Sequence, residues 1–157
     1  MPQERRILGL ISDTHGLLRA SALEALRGAE LILHAGDVGG AEILEQLSAV
    51  APVVAVRGNV DLDTWGRTLP LTEMVEFGGV AVYMLHILED LDINPATASA
   101  QIVVSGHSHK PASYEKQGVL YINPGSAGPR RFTLPITVAR LDLGIRPWKV
   151  QFVPLEE

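Results

Sequence analysis

Seven side chains that offer nitrogen or oxygen donors follow apolar runs in this sequence: Asp13, His15, Asp37, Asn59, His86, His107 and His109. The first pair sets the pattern. Leu8-Gly9-Leu10-Ile11 leads through Ser12 to Asp13 and His15, two positions apart, with Gly16 behind them. On an extended tip, residues i and i+2 point the same way, so the two side chains can grip one ion together. An oxygen donor beside a nitrogen donor suits a borderline divalent metal such as manganese, zinc, iron or nickel. Taken alone, an Asp and a His this close in a loop more often cap a turn.

The chain has five histidines, and four of them sit just after a strand-like run. His34 lies inside such a run, ahead of Gly36-Asp37, and reads as a core residue or as support for a neighbouring ligand. Gly106-His107-Ser108-His109 sets two imidazoles on one side of an extended turn, and Gly106 lets the backbone approach closely. By themselves these could be solvent-facing turn residues, His86 a packed histidine and Gly58-Asn59 an ordinary turn. Together the seven donors exceed what one four- to six-coordinate ion requires. They match two ions sharing a carboxylate, with Asp37 as the natural bridge. There is no cysteine, so any metal must be held by His, Asp, Glu or Asn.

The elements that would position these donors alternate. Ile7 to Ser12 reads as a strand, Leu18 to Leu26 as a helix and Leu31 to Ala35 as a second strand. A helix with Ile43, Leu44 and Leu47 on one face leads to a third strand, Pro52 to Val56. This β-α-β-α-β start implies a parallel sheet with right-handed crossovers, which gathers the polar strand ends along one edge. In the second half, Gly78-Gly79 between Glu73–Phe77 and Val80–Leu85 signals a hairpin. The stretch from Ile87 to Ala100 reads as a loop with a short helix. Further strands are expected at 102–105, 119–122, 136–141 and 148–153, the last with one wet face. Two sheets packed face to face with helices outside follow, in an α/β fold.

At 157 residues a single domain spanning 1–157 is expected. Hydrophobic residues at 46% and charged residues at 20% fit an ordinary globular protein. A net charge of −5 argues against a nucleic-acid partner. Arg5 and Arg6 precede too short an apolar run for a signal peptide, and no stretch is long enough to span a membrane. A cytoplasmic location is the default.

The ordered blocks D-x-H, G-D, G-N-x-D, H and G-H-x-H, running from Asp13 to His109, resemble the calcineurin-like metallophosphoesterases. Val56-Arg57-Gly58-Asn59-Val60-Asp61, Gly106-His107-Ser108-His109-Lys110-Pro111 and Asn123-Pro124-Gly125-Ser126 are similar to the small YfcE-type phosphodiesterase branch. The resemblance covers about Ile7 to Leu143. It implies a four-layer α-β-β-α sandwich of two mixed sheets with a dinuclear centre. By position, Asp13, His15 and His109 would hold one ion, Asn59, His86 and His107 the other, and Asp37 would bridge them. Asp37, Asn59 and His86 would carry catalysis. The cofactors implied are two divalent ions, manganese first, with nickel, zinc, iron or magnesium as substitutes.

The resemblance also implies a small phosphodiester substrate, attacked by a hydroxide between ions about 3.5–4 Å apart. Arg57 and Arg130 are candidate phosphate contacts, and the Asn59 carboxamide can serve both metal and phosphate. Two positions depart from many relatives. Val60 replaces a histidine thought to protonate the leaving group, so activated esters should be favoured over unactivated alkyl monoesters. Asp61 either substitutes through water or caps the following turn, and the cap is the favoured reading. Ile87 stands where a glycine is usual, and its β-branch restricts the loop behind His86. Asn123-Pro124-Gly125-Ser126 reads as a tight turn near the site. The alternative function is a non-catalytic scaffold or interaction module on the same fold, like the retromer subunit; a nuclease is disfavoured by charge. A homodimer or higher oligomer is the default for a small enzyme.

Overall fold

The computed structural model describes residues 6–156; the reading made at Arg5 lies outside them. Strand β1 (Ile7–Ile11), helix α1 (Ala20–Ala25), strand β2 (Leu31–His34), helix α2 (Ala41–Ser48) and strand β3 (Val53–Ala55) follow in the expected order. β1 pairs with β2 and β2 with β3, both parallel. Strands β4 (Thr72–Phe77) and β5 (Val80–Leu85) form the antiparallel hairpin across Gly78-Gly79. They are followed by β6 (Ile102–Val104), β7 (Ala112–Lys116), β8 (Val119–Asn123), β9 (Thr137–Asp142) and β10 (Gln151–Pro154).

Two five-stranded sheets result, ordered β10-β9-β1-β2-β3 and β4-β5-β6-β8-β7. Both are mixed. β9 returns antiparallel to β1 and carries β10 on its outer side, while β5, β6 and β8 run parallel. The last two strands of the chain thus complete the first sheet. Strand β7 was not expected from the sequence. Only Ala112 of its five residues is even half-buried, so it lacks the apolar alternation that marks a strand, and it pairs on one side only, as a sheet edge. Tyr114 of β7 stacks on Tyr121 of β8 at 5.2 Å.

The layers follow from how residues alternate along the strands. Leu8, Leu10, Leu31 and Leu33 face the second sheet and pack on Val82, Met84, Ile102, Val104 and Ile122. Ile11, Ile32 and Val138 face the other way, under Ala22 and Leu26 of the α1 region and Ile43 and Leu47 of α2. Being apolar on both faces is what makes β1 and β2 read as continuous buried runs. The outer face of the second sheet is covered by the 87–100 segment: Leu88, Leu91 and Ile93 lie over Tyr83, Leu85, Val103 and Tyr121. The short helix expected there is a single 3-10 turn, Leu88–Asp90. Ahead of β10, Trp148 and Val150 pack with Phe152 against the core while Lys149 and Gln151 are exposed. Among the described residues, no helix is long and apolar enough to cross a membrane.

Candidate metal centre

Five strands of the two sheets end at one edge. β1 delivers Asp13 and His15, β2 delivers Asp37, and β3 delivers Asn59. From the facing sheet, β5 delivers His86 and β6 delivers His107 and His109. Backbone bonds tie the loops together: Asp13 N–H donates to the Gly36 carbonyl, His15 N–H to that of Asp37, and Gly106 N–H to that of His86. The side chains fall into two groups whose donor atoms lie within 4.8 Å of one another, Asp13 with His15 and His109, and Asp37 with His86 and His107. Asn59 joins the second group, its Oδ1 3.1 Å from His107 Nδ1.

The backbone is bent to achieve this. Asp13, His15, Asp37, His107 and His109 all have positive φ, between 48° and 72°. Each such residue costs on the order of 1 kcal/mol relative to ordinary backbone, and strain of this kind concentrates at functional sites. Two glycines make room. A Cβ on Gly58 would collide with the backbone nitrogen and Oδ1 of Asp37, and one on Gly106 with the Ser12 hydroxyl.

Each aspartate anchors one oxygen and presents the other. Asp13 Oδ2 accepts from Ser12 Oγ–H at 2.6 Å and from His107 N–H at 3.1 Å. Its Oδ1 is left facing the Nε2 atoms of His109, His15 and His86 at 3.4, 3.7 and 3.7 Å. Asp37 Oδ1 accepts from Val60 N–H at 2.9 Å, while Oδ2 lies 3.1 Å from His86 Nε2 and 3.6 Å from His15 Nε2.

Among the described residues, the buried side-chain atoms without a hydrogen-bond partner are Asp13 Oδ1, His15 Nε2, His86 Nε2 and His109 Nδ1. All four belong to this cluster. His86 sharpens the point. Its Nδ1 lies 2.7 Å from the Ala35 carbonyl, which can only accept, so Nδ1 carries the proton and a neutral ring turns its Nε2 lone pair toward Asp37 Oδ2. That approach needs a cation or a second proton between them. The residues present fit a pair of divalent ions.

The titration shifts have the same origin. Burial alone would raise the Asp13 carboxyl, but the facing His109 and His15 rings, the His86 charge and the Ser12 hydroxyl outweigh it and hold it far below the usual range. Asp37 is likewise lowered: His86 and the Val60 N–H overcome its burial. The facing Asp13 carboxylate, helped by Asp37, raises His15 against burial and the nearby Arg131 charge. Burial pulls His86 down, yet Asp37 and Asp13 together push it up.

Supporting groups lie behind the donors. His34 is fully buried. Its Nδ1 accepts from Gly36 N–H, its Nε2–H donates to Thr14 Oγ1 at 3.0 Å, and that hydroxyl donates to the Val38 carbonyl. Burial lowers its pKa to about 4, so it is neutral near pH 7. Asp61 accepts from the N–H groups of Val38, Gly39 and Gly58. It staples the Asp37 loop to the Asn59 loop, a wider version of the cap read from the sequence. Ile87 has φ −107° and ψ 113°, extended backbone that a β-branched residue accepts readily, and His86 is not displaced.

Arg57 lines the cleft beside Asn59, but its Nε and Nη2 donate to the carbonyls of Leu69 and Arg67. Arg130 lies with Arg131 and Phe132 on the flank that carries His15 and His109. Asn123 does form a turn, accepting from Gly125 N–H, and its Nδ2 also braces the Gly106 carbonyl. Sequence reasoning missed Ser12, Thr14 and Arg131. Ser12 and Thr14 flank Asp13, so adjacency was a signal for both; nothing in the residues around Arg131 marked it.

Residues 7–145 match the family model of the calcineurin-like phosphoesterase superfamily domain. The chain belongs to that superfamily. A probable metallophosphoesterase of Methanothermobacter thermautotrophicus is 35% identical over 149 residues, covering 87% of this chain and 86% of the relative. Phosphodiesterase YfcE of Escherichia coli is 29% identical over 155 residues, covering 83% and 84%. Among solved structures, vacuolar protein sorting 29 from Cryptosporidium parvum superposes with a TM-score of 0.75 at 21% identity, covering 98% of this chain and 99% of that one. At that identity the likeness speaks for the metallophosphoesterase-like fold alone.

Proposed function

We propose that this metallophosphoesterase-family chain is a metal-dependent phosphodiesterase whose two divalent ions, manganese first among them, are held by Asp13, His15 and His109 and by Asn59, His86 and His107, with Asp37 bridging. The observation that carries the reading is Asp13 Oδ1, fully buried, unpartnered and faced by three imidazole nitrogens. Such an atom is costly to bury unless a cation meets it. When bound, the two ions would supply a hydroxide nucleophile at neutral pH and neutralise the phosphoryl oxygens during in-line attack.

The chain's own residues do the rest. Asp37 presents Oδ2 while the Val60 N–H holds Oδ1, which fixes the carboxylate plane. The Ala35 carbonyl fixes the His86 tautomer. The Asn59 amide is neutral, so its oxygen can face a cation while its NH2 donates to a phosphate oxygen. The Val60 side chain holds no proton to give, and Asp61 is engaged by backbone donors. Activated esters are therefore favoured over alkyl monoesters. The acidic net charge of −5 favours a small diester over nucleic acid, and the relative named phosphodiesterase YfcE supports that substrate class.

The test is hydrolysis of bis(p-nitrophenyl) phosphate by metal-stripped protein reloaded with one metal at a time. Manganese-dependent turnover, lost in Asp37→Ala and His107→Ala, is expected. No turnover with any metal by folded protein would favour a non-catalytic scaffold or interaction module on the same fold.

A further inference from the structure

On the Asn59 and His86 side of the centre, a cleft of about 350 Å³ opens between the loop after β3 and the turn after β5. This is the lower end of the size range for small-ligand pockets. Leu62, Leu71, Leu85 and Ile87 wall it. Leu62 and Leu71 leave 58% and 63% of their surface uncovered, and Val60 on the same loop leaves 50%. Exposed large apolar side chains scattered singly mean little, but Leu62 and Leu71 line one cleft beside the donor cluster, and apolar walls shared in that way point to a ligand.

The charge around the centre is uneven. Asp90 and Asp92 stand on the cleft side, where the Arg57 guanidinium is turned to the Leu69 and Arg67 carbonyls. The opposite flank, beyond His15 and His109, carries Arg130 and Arg131. Because the cleft shares Asn59 and His86 with the donor cluster, a group lodged there can be covalently continuous with a phosphate held at the centre.

We propose that the cleft walled by Leu62, Leu71 and Ile87 is the subsite for one ester arm of the substrate, and that this arm is apolar and carries no negative charge. This rests on the phosphodiesterase reading and narrows its substrate class. An anionic arm is directed away by Asp90 and Asp92. A methyl or hydroxymethyl arm leaves the apolar walls wet and gains nothing from them.

Calorimetric titration of the manganese-loaded protein with alkylphosphonates from methyl to octyl tests this without turnover. Affinity should tighten roughly two- to threefold per methylene, below the roughly fourfold of complete burial because the cleft is half open. Leu62→Ser and Leu71→Ser sit at exposed positions and should fold normally. Each should at least halve the gain per methylene while leaving methylphosphonate binding within twofold of the parent. A 6-aminohexyl phosphonate should bind several-fold better than a 5-carboxypentyl one, and Asp90→Asn with Asp92→Asn should erase that preference. An affinity flat with chain length, or a slope untouched by both serine variants, overturns the proposal while leaving the phosphodiesterase reading standing. Should methylphosphonate itself fail to bind, the metal-centre reading is at fault. In that event the arm subsite is judged separately, by whether 1-hexanol shifts the methyl NMR signals of Leu62 and Leu71. Signals that do not move overturn it.

Discussion

Both carboxylate oxygens of Asp61 lie 3.1 Å from the backbone N–H of Val38, a contact across 23 residues that locks the Asp37 loop. The same carboxylate takes the Gly58 N–H at 2.9 Å, so one buried side chain sets the spacing between Asp37 and Asn59. Asp61→Ala leaves these N–H groups without acceptors at about 1–3 kcal/mol each where water cannot reach them. The expected outcome is a loss of about 2–4 kcal/mol in urea unfolding and at least tenfold weaker manganese binding. An Asp61→Ala protein with parent-like metal affinity would mean that the staple is dispensable.

His34 predicts a particular acid sensitivity in the metal-free protein. Its folded pKa is lowered to about 4 from an ordinary 6.5 by burial. The stability this represents is fully present above pH 6.5 and is lost as pH falls toward 4, because only the unfolded chain takes up the proton. The loss is on the order of 3 kcal/mol over that window. His15 and His86 are raised and act in the opposite sense, contributing most at low pH and losing their share as pH rises through their folded values. Urea melts of the parent and of His34→Gln between pH 4 and 7 separate these contributions. The variant should show the shallower decline on acidification.

Metal binding should release protons. His15 and His86 hold theirs more tightly than ordinary histidines in the metal-free protein, and a cation needs those Nε2 lone pairs. Calorimetry near pH 6.5 in two buffers of different ionisation enthalpy should report roughly one to two protons released per chain. Affinity should rise with pH until both rings are neutral. Heats that do not depend on the buffer would contradict this.

Val60 offers a gain-of-function test. Its N–H already bonds Asp37, and its side chain is half exposed at the mouth of the site. Val60→His keeps the backbone contact and adds a proton donor, and general acids contribute up to about 10²–10⁴-fold. Phenyl and alkyl phosphate esters should gain about tenfold or more, with p-nitrophenyl esters changing by less than threefold. Equal gains on both classes would argue for altered binding instead.

The strand ends were readable because buried strands stop abruptly in polar residues; the β-α-β-α-β order gathered three of them on one edge, and the structure adds those of β5 and β6 from the facing sheet. Their orientation was not. Nothing in the residue types at Asp13 or His107 announces a left-handed backbone, and which oxygen of Asp13 is anchored depends on His107, 94 residues away. Strand β7 escaped because a polar edge strand needs no apolar face. Arg57 looked like a phosphate contact because it adjoins Gly58-Asn59, whereas its guanidinium is drawn off by loop carbonyls. Long-range backbone partners such as these leave no periodic trace in the chain.

Electron paramagnetic resonance of the manganese-loaded protein addresses the dinuclear centre most directly. Two ions per chain with an exchange-coupled spectrum, reduced in Asp37→Ala to uncoupled manganese, is the expected result. A parent protein that binds a single, magnetically isolated ion, or a coupled spectrum that survives Asp37→Ala, would contradict a metal pair sharing that carboxylate.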